Sequence, residues 1–293
     1  MSETFPFADL ALSQRLERAE GLSNARFVDA RARLLPDSGA TWIEVAGARA
    51  MFAGPGSPMT QTFGLGLFQP ATASDLDAIE AFYAERASPV FHEVSPLADA
   101  RLPALLAARG YRPCEFTSVL YRPIDHAGLK PCATGDEAIA DEASGAGEVA
   151  QGFSPATSGL VVRLIEKADE ELYARVSADG WSEFGVSDLI LEFGRMNAAV
   201  DGLRLFLVEL DGKPIAAGAL GLCDGVAHLA GASTVPAGRK RGAQLALLNH
   251  RLRDAAAHGC DIALMGALPG SGSQRNAERN GFRIAYTRIK WTR

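Results

Sequence analysis

From residue 160 onwards the apolar positions change period several times. The run 160–165 (LVVRLI) is apolar and partly β-branched, which predicts a strand. Residues 166–178 place Leu172, Tyr173 and Val176 on one side of a helix, and 181–200, with Phe184, Leu189, Phe193 and Met196, predict one or two more. Strands are expected over 203–210, 214–222 and 226–235, joined by turns at Asp211-Gly212 and Cys223-Asp224-Gly225. Leu245, Leu248, Leu252 and Ala256 stripe a helix over 240–258, which Gly259 ends. A buried strand over 261–265, a short helix over 272–280 stopped by Gly281, and a strand over 283–291 complete the order β-α-α-β-β-β-α-β-α-β.

The first half repeats part of this order. Residues 7–35 are helical in character, 41–45 and 48–53 short strands, and 54–58 a Gly/Pro turn. A strand over 61–68, a helix over 74–86, a strand over 90–94, a helix over 97–108 and a strand over 115–121 follow. Ala108-Arg109-Gly110-Tyr111-Arg112 parallels Glu278-Arg279-Asn280-Gly281-Phe282-Arg283: each is a helix end, a glycine stop, an aromatic and then a strand. Shared order and shared ending argue for a duplicated fold. Residues 125–158 are rich in Gly, Ala, Ser and acids and lack an apolar stripe, as a linker would. The expected organisation is residues 1–124, a linker over 125–158, and residues 159–293, with both halves α/β (α+β).

Composition narrows the class. The 293 residues exceed one average domain, and 47% apolar with 22% charged is ordinary for a globular protein. No apolar run reaches the roughly 18–20 residues of a membrane span, so no membrane partner is expected. The N-terminal residues lack a basic segment followed by an apolar core, so they do not read as a secretory signal. Cys114, Cys132, Cys223 and Cys260 form no CxxC pair, which fits reduced thiols and a cytoplasmic setting. The five histidines are scattered without paired spacing, and no metal is expected.

Charge is uneven. Residues 239–293 hold eleven Lys/Arg against three acids, a balance of +8; with −6 overall, residues 1–238 carry −14. A basic sector in an acidic chain suggests an anionic partner. It is too short and too poor in aromatics for nucleic acid, and a multiply phosphorylated cofactor suits it better. Arg239-Lys240-Arg241-Gly242-Ala243-Gln244 lies in this sector, between a predicted strand and a predicted helix. Free N–H groups of a first helical turn attract anions, and Gly242 would let a ligand approach the backbone. An ordinary solvated helix start is the alternative.

The second half resembles the GCN5-related N-acetyltransferase (GNAT) family over 160–293. The likeness rests on the Arg239-x-x-Gly242-x-Gln244 turn, the β-β-β-α-β-α-β order around it, and the ending Arg279-Asn280-Gly281-Phe282. The first half looks like a degenerate copy: its turn, Phe68-Gln69-Pro70-Ala71-Thr72-Ala73-Ser74, has neither Arg nor Gly. The resemblance implies two GNAT-like domains, each a mixed, mostly antiparallel sheet flanked by helices. It implies acetyl-CoA as cofactor and transfer of acetyl to a small-molecule or peptide amine, by direct attack in a ternary complex.

On this resemblance the diphosphate would sit on Arg239, Lys240, Arg241, Gly242, Ala243 and Gln244, and the pantetheine arm along Ser233, Thr234 and Val235, where an amide would meet the thioester oxygen. Ser271, Ser273, Arg275 and Asn276 on the last short helix could also touch the cofactor. The family's usual Tyr acid position falls on Ala277 and its Asn position on Gly270, so this chain departs from the pattern. His228, eleven residues before Arg239, stands where some members carry a basic Glu. His228, Glu209 and Ser233 are the catalytic candidates, each with a merely structural alternative. Trp181, Glu183 and Phe184 fall in the segment that caps the acceptor pocket in the family. A non-catalytic acyl-CoA-binding or regulatory module is the competing reading, and a monomer or homodimer is expected.

Overall fold

The computed structural model describes residues 5–124 and 159–293; the expected linker lies outside them. The N-terminal half opens with α1 (Leu10–Leu34), started by Asp9, whose carboxylate accepts the Leu12 N–H. Then come β1 (Thr41–Val45), β2 (Ala48–Phe52), β3 (Gln61–Phe63), α2 (Ala73–Ala84), β4 (Phe91–Val94), α3 (Leu102–Ala108) and β5 (Arg112–Pro123). The C-terminal half runs β6 (Leu160–Leu164), α4 (Glu170–Asp179), α5 (Ser187–Ala198), β7 (Arg204–Leu210), β8 (Lys213–Cys223), β9 (Val226–Thr234), α6 (Ala243–Ala257), β10 (Ile262–Ala267), α7 (Gly272–Arg279) and β11 (Arg283–Thr292). Asp211-Gly212 and Asp224-Gly225 all have positive φ, as two-residue hairpin turns require.

The expected elements are present with shifted ends. The strand expected over 61–68 stops at Phe63, because Gly64 and Gly66 at positive φ turn the chain. The α6 stripe is also rotated from the expected one. Its buried residues are Ala243, Leu247, Leu248, Arg251, Leu252 and Ala255, while Leu245 is exposed.

All eleven strands form one sheet in the order β1-β2-β3-β4-β11-β5-β10-β9-β8-β7-β6. Only β3·β4 and β9·β10 are parallel. The last strand of each half is exchanged: β5 pairs with β10, and β11 pairs with β4. The two exchanged strands pair with each other at the centre, so β1 to β5 and β7 to β11 are related by a pseudo-two-fold. The repeated sequence endings have the same geometry. Tyr111 N–H bonds Leu106 O and Phe282 N–H bonds Ala277 O, each just past a positive-φ glycine, with both rings buried.

Helix α1 lies on one face across both halves, packing Leu12, Leu16 and Ala19 against Val119, Val226, Ile262 and Leu264. Helices α4 and α5 share that face, and α2, α3, α6 and α7 cover the other. The exchange also accounts for part of the charge asymmetry. Arg288 of β11 meets Glu17 and Glu20 of α1, Lys290 meets Glu93 and Glu115, and Arg293 meets Glu80. Three cations of the basic sector therefore neutralise acids of the N-terminal half rather than a ligand.

Arg288 faces the buried carboxylate of Glu17 and the half-buried one of Glu20 with one charge. Burial pushes the Glu17 carboxyl up to about 7 against the pull of Arg288, while Glu20 stays below its ordinary range. Glu17 binds its proton more tightly folded than unfolded. Its stabilising contribution is therefore full below about pH 4.5 and is lost as pH rises to about 7, at a cost of about 3 kcal/mol. Glu17→Gln is expected to flatten this fall, read as urea midpoints at pH 5 and pH 7. An unchanged pH dependence would show that Glu17 does not titrate in this window.

Candidate active site

The glycine turn expected to meet an anion begins where β9 ends. Pro236–Gly238 form a single 3-10 turn, Lys240 and Gly242 take positive φ (61° and 82°), and α6 starts at Ala243 with Gly242 as its N-cap. No side chain caps α6. Its first amides thus lack an intrahelical acceptor, and the helix dipole adds a partial positive charge. Lys240 and Arg241 are exposed beside them. A Cβ on Gly242 would meet only Leu160 Cδ1, at 3.6 Å, so the glycine answers to backbone conformation rather than crowding.

Beside this turn the sheet forks. Strands β9 and β10 pair only over Ile262↔Val226, Ala263↔Ala227 and Leu264↔His228, and then part. Strand β9 stays on β8 through a bulge that sets Ala230 opposite Ala219 and Ser233 opposite Ala217, with Gly231 at positive φ. Val235 N–H bonds Ile215 O and is not available to a ligand. By the alternation of an antiparallel pair, the N–H and C=O of Thr234 then point to the opposite edge, into the fork. Among Ser233, Thr234 and Val235, Thr234 is therefore the residue whose backbone can pair with an extended ligand.

Several expected cofactor contacts are already engaged. Gln244 Nε2 donates to Ser233 O (3.0 Å) and Thr234 Oγ1 (2.7 Å), tying the first turn of α6 to the end of β9. Arg239 pairs with Glu183 and reaches Gly180 O, joining the turn to the segment between α4 and α5. Trp181 and Phe184 of that segment, ring centroids 5.5 Å apart, are both exposed. On α7, Ser271 is the N-cap and accepts the Gln274 N–H, Asn276 O accepts from Asn280 Nδ2, and Ser273 and Arg275 are exposed. Ala277 is buried in the core that includes Phe282. Tyr286 is also core, donating its hydroxyl to Glu17.

The three catalytic candidates do not converge. His228 lies at the fork, buried on the α1 face near Glu20 and Arg288; its Nδ1 has no partner among the described residues, and burial lowers its pKa. Ser233 is five residues further along β9, roughly 15 Å away at strand rise. Its hydroxyl is covered: a Cβ on Gly180 would come within 2.7 Å of Ser233 Oγ. Glu209 is on β7, two strands from β9, and accepts from Arg163 Nε at 2.8 Å, while Arg163 also binds Asp169. The strand pairing of the sheet, which no local pattern specifies, separates them. Arg251 and the bulge at Gly231, missed in the sequence, do lie beside the fork. A cation within the apolar face of α6 was the available signal.

The corresponding turn of the N-terminal half is filled by its own side chains. Thr72 and Asp75 cap α2 reciprocally, with Thr72 N–H to Asp75 Oδ2 at 2.8 Å. Asp99 N–H closes onto Gly66 O beyond β4. An anion there would meet a carboxylate where α6 offers bare amides.

A family model described as acetyltransferase (GNAT) domain matches residues 146–270, the stretch that contains both fork and turn. Residues 146–270 are thus similar to a GNAT acetyltransferase domain. A GCN5-related N-acetyltransferase from Kribbella flavida superposes with a TM-score of 0.58 at 16% identity, covering 92% of this chain and 94% of that one. A tandem GNAT protein from the clavulanic acid biosynthesis pathway (TM-score 0.53, 15% identity) covers 84% and 78%, and a GCN5-related N-acetyltransferase from Sphaerobacter thermophilus (0.50, 14%) covers 98% and 93%. At these identities the likeness is one of fold. Comparison with curated proteins finds no match. Among the described residues, no helix is long and apolar enough to cross a membrane, and no cluster of His, Cys, Asp and Glu is placed to hold a metal.

Proposed function

We propose that the C-terminal half of this chain transfers an acetyl group from acetyl-CoA to an amine. The observation that carries this reading is the uncapped N-terminus of α6 at the mouth of the β9–β10 fork. The amides of Ala243 and Gln244, with Lys240 and Arg241, would hold the diphosphate. The outward edge of Thr234 would pair with the pantetheine amides. The acetyl group would then lie near Gly231 and the fork. The amine nitrogen attacks the thioester carbonyl carbon, the C–S bond breaks, and the nitrogen gives up its proton.

His228 is the proton acceptor that the geometry favours over Glu209 and Ser233. It is neutral by burial and stands at the fork, and its buried Nδ1 has no partner among the described residues. The thiolate leaves without a tyrosine acid, and takes its proton from water. The buried Ala277 favours the second reading, a domain that binds acyl-CoA without transfer. Single-turnover transfer of labelled acetyl to a panel of amines separates the two; binding without transfer across a wide panel supports the second.

Gly242→Val tests the cradle independently of the acceptor. The valine is strained at φ 82° and places methyl groups beside the amides. CoA affinity by calorimetry is expected to fall at least about tenfold, worth about 1.4 kcal/mol. Unchanged affinity would place the diphosphate elsewhere.

A further inference from the structure

Behind the bulge of β9 lies a buried cation without a carboxylate. Arg251 projects from the inner face of α6 and is only 4% exposed. Its Nη1 donates to Ala219 O (3.0 Å) and Ala230 O (3.3 Å), the facing carbonyls of the last regular pair before the bulge. No acid joins it among the described ion pairs, and burial lowers its pKa to about 10, still charged at neutral pH. Gly218, opposite the bulge, leaves room for Leu247 and the guanidinium, since a Cβ there would lie 2.9 Å from Leu247 Cδ2 and 3.2 Å from Nη1. An apolar side chain of similar length would fill this space without the cost of burying a charge.

We propose that Arg251 is a positioning residue for acyl transfer, polarising the Ala230–Gly231 peptide so that the Gly231 N–H binds the thioester oxygen. The inference rests on the cofactor reading above. The Ala230 carbonyl points at the guanidinium and at β8. Because the peptide is planar and trans, the Gly231 N–H points the opposite way, towards the gap that β10 leaves. Gly231 is exposed and at positive φ, within the bulge where β8 and β9 lose their regular register. A carbonyl bonded to a cation makes the N–H of the same peptide a stronger donor. As the amine attacks, negative charge grows on the thioester oxygen, and a donor fixed in advance favours that charge over the ground state. Arg251 touches no substrate atom and acts through the backbone.

The experiment is infrared difference spectroscopy of acetyl-CoA labelled with 13C at the thioester carbonyl, on the full chain, with calorimetry of CoA alone. Bound to the unmodified protein, the carbonyl band is expected below its frequency in water. In Arg251→Met the displacement should shrink by half or more while CoA affinity stays within about threefold; Arg251→Lys should keep most of it. Gly218→Ala, which retains the charge but crowds the guanidinium, should give an intermediate band and serves if the methionine variant does not fold. An unmoved band in Arg251→Met and Gly218→Ala, or equal losses of CoA and acetyl-CoA binding, would mean that Arg251 only props the bulge. Failure of the unmodified chain to bind acetyl-CoA overturns the cofactor reading and this role with it. Normal binding with an unmoved band in the variants overturns the role of Arg251 alone.

Discussion

Replacing Arg288 by methionine is expected to remove about 3–5 kcal/mol of stability, the largest loss from any single side chain in the exchange of strands. Arg288 is 1% exposed on β11 and sits between Glu17 and Glu20 of α1, so its loss strands at least one buried carboxylate. Glu17 can escape by keeping its proton, because burial already raises its pKa to about 7. The Glu20 carboxyl lies below its ordinary range largely through the same guanidinium, so without Arg288 burial raises it too, and it must bind a proton or stay charged and unpaired. The double variant Arg288→Met, Glu20→Gln should therefore recover a large part of the loss, because both charges then leave together. Urea midpoints of the single and double variants measure this. A loss under about 1 kcal/mol for Arg288→Met would mean that water reaches the pair.

His228→Ala is expected to lower kcat for amine acetylation by about 10²–10⁴, with the acetyl-CoA affinity nearly unchanged. The imidazole lies at the point where β9 and β10 part, away from the diphosphate turn. Burial pushes its pKa below 6.5, partly offset by Glu20, so the neutral form persists below the ordinary histidine range. With a depressed pKa, protonation sets in only at lower pH. The acid limb of the kcat profile should accordingly fall below about 6.5. His228→Gln, which fills the same buried space, should be as slow as the alanine variant. A glutamine variant with near-normal kcat would assign the proton to water or to another group.

The local features of this protein were largely legible in the chain. Strand and helix periods placed nearly every element because amphipathic faces must repeat at 2.0 or 3.6 residues. The hairpin turns at Asp211-Gly212 and Asp224-Gly225 were readable because few residues accept positive φ at both positions. The endings at Gly110-Tyr111 and Gly281-Phe282 were readable because glycine accepts the positive φ that stops each helix. The turn before α6 was legible as a motif, yet of its three cations only Lys240 and Arg241 stand outside the described ion pairs; Arg239 is tied to Glu183. Net charge was the least faithful guide. A count along the chain cannot say whether Arg288, Lys290 and Arg293 face a ligand or acids more than 170 residues away.

The order of elements, the two hairpins and the glycine turn before α6 could be read along the chain. All of these follow from backbone propensity and periodicity within some twenty residues. That β5 and β11 change places, that His228, Glu209 and Ser233 stand apart, and that Arg251 reaches the bulge emerges only in the folded chain. Those outcomes depend on which strand lies beside which and on which face a residue occupies after a bulge. Neighbours in a sheet are chosen by packing and charge across the whole chain, where a shift of one residue turns every side chain to the other face.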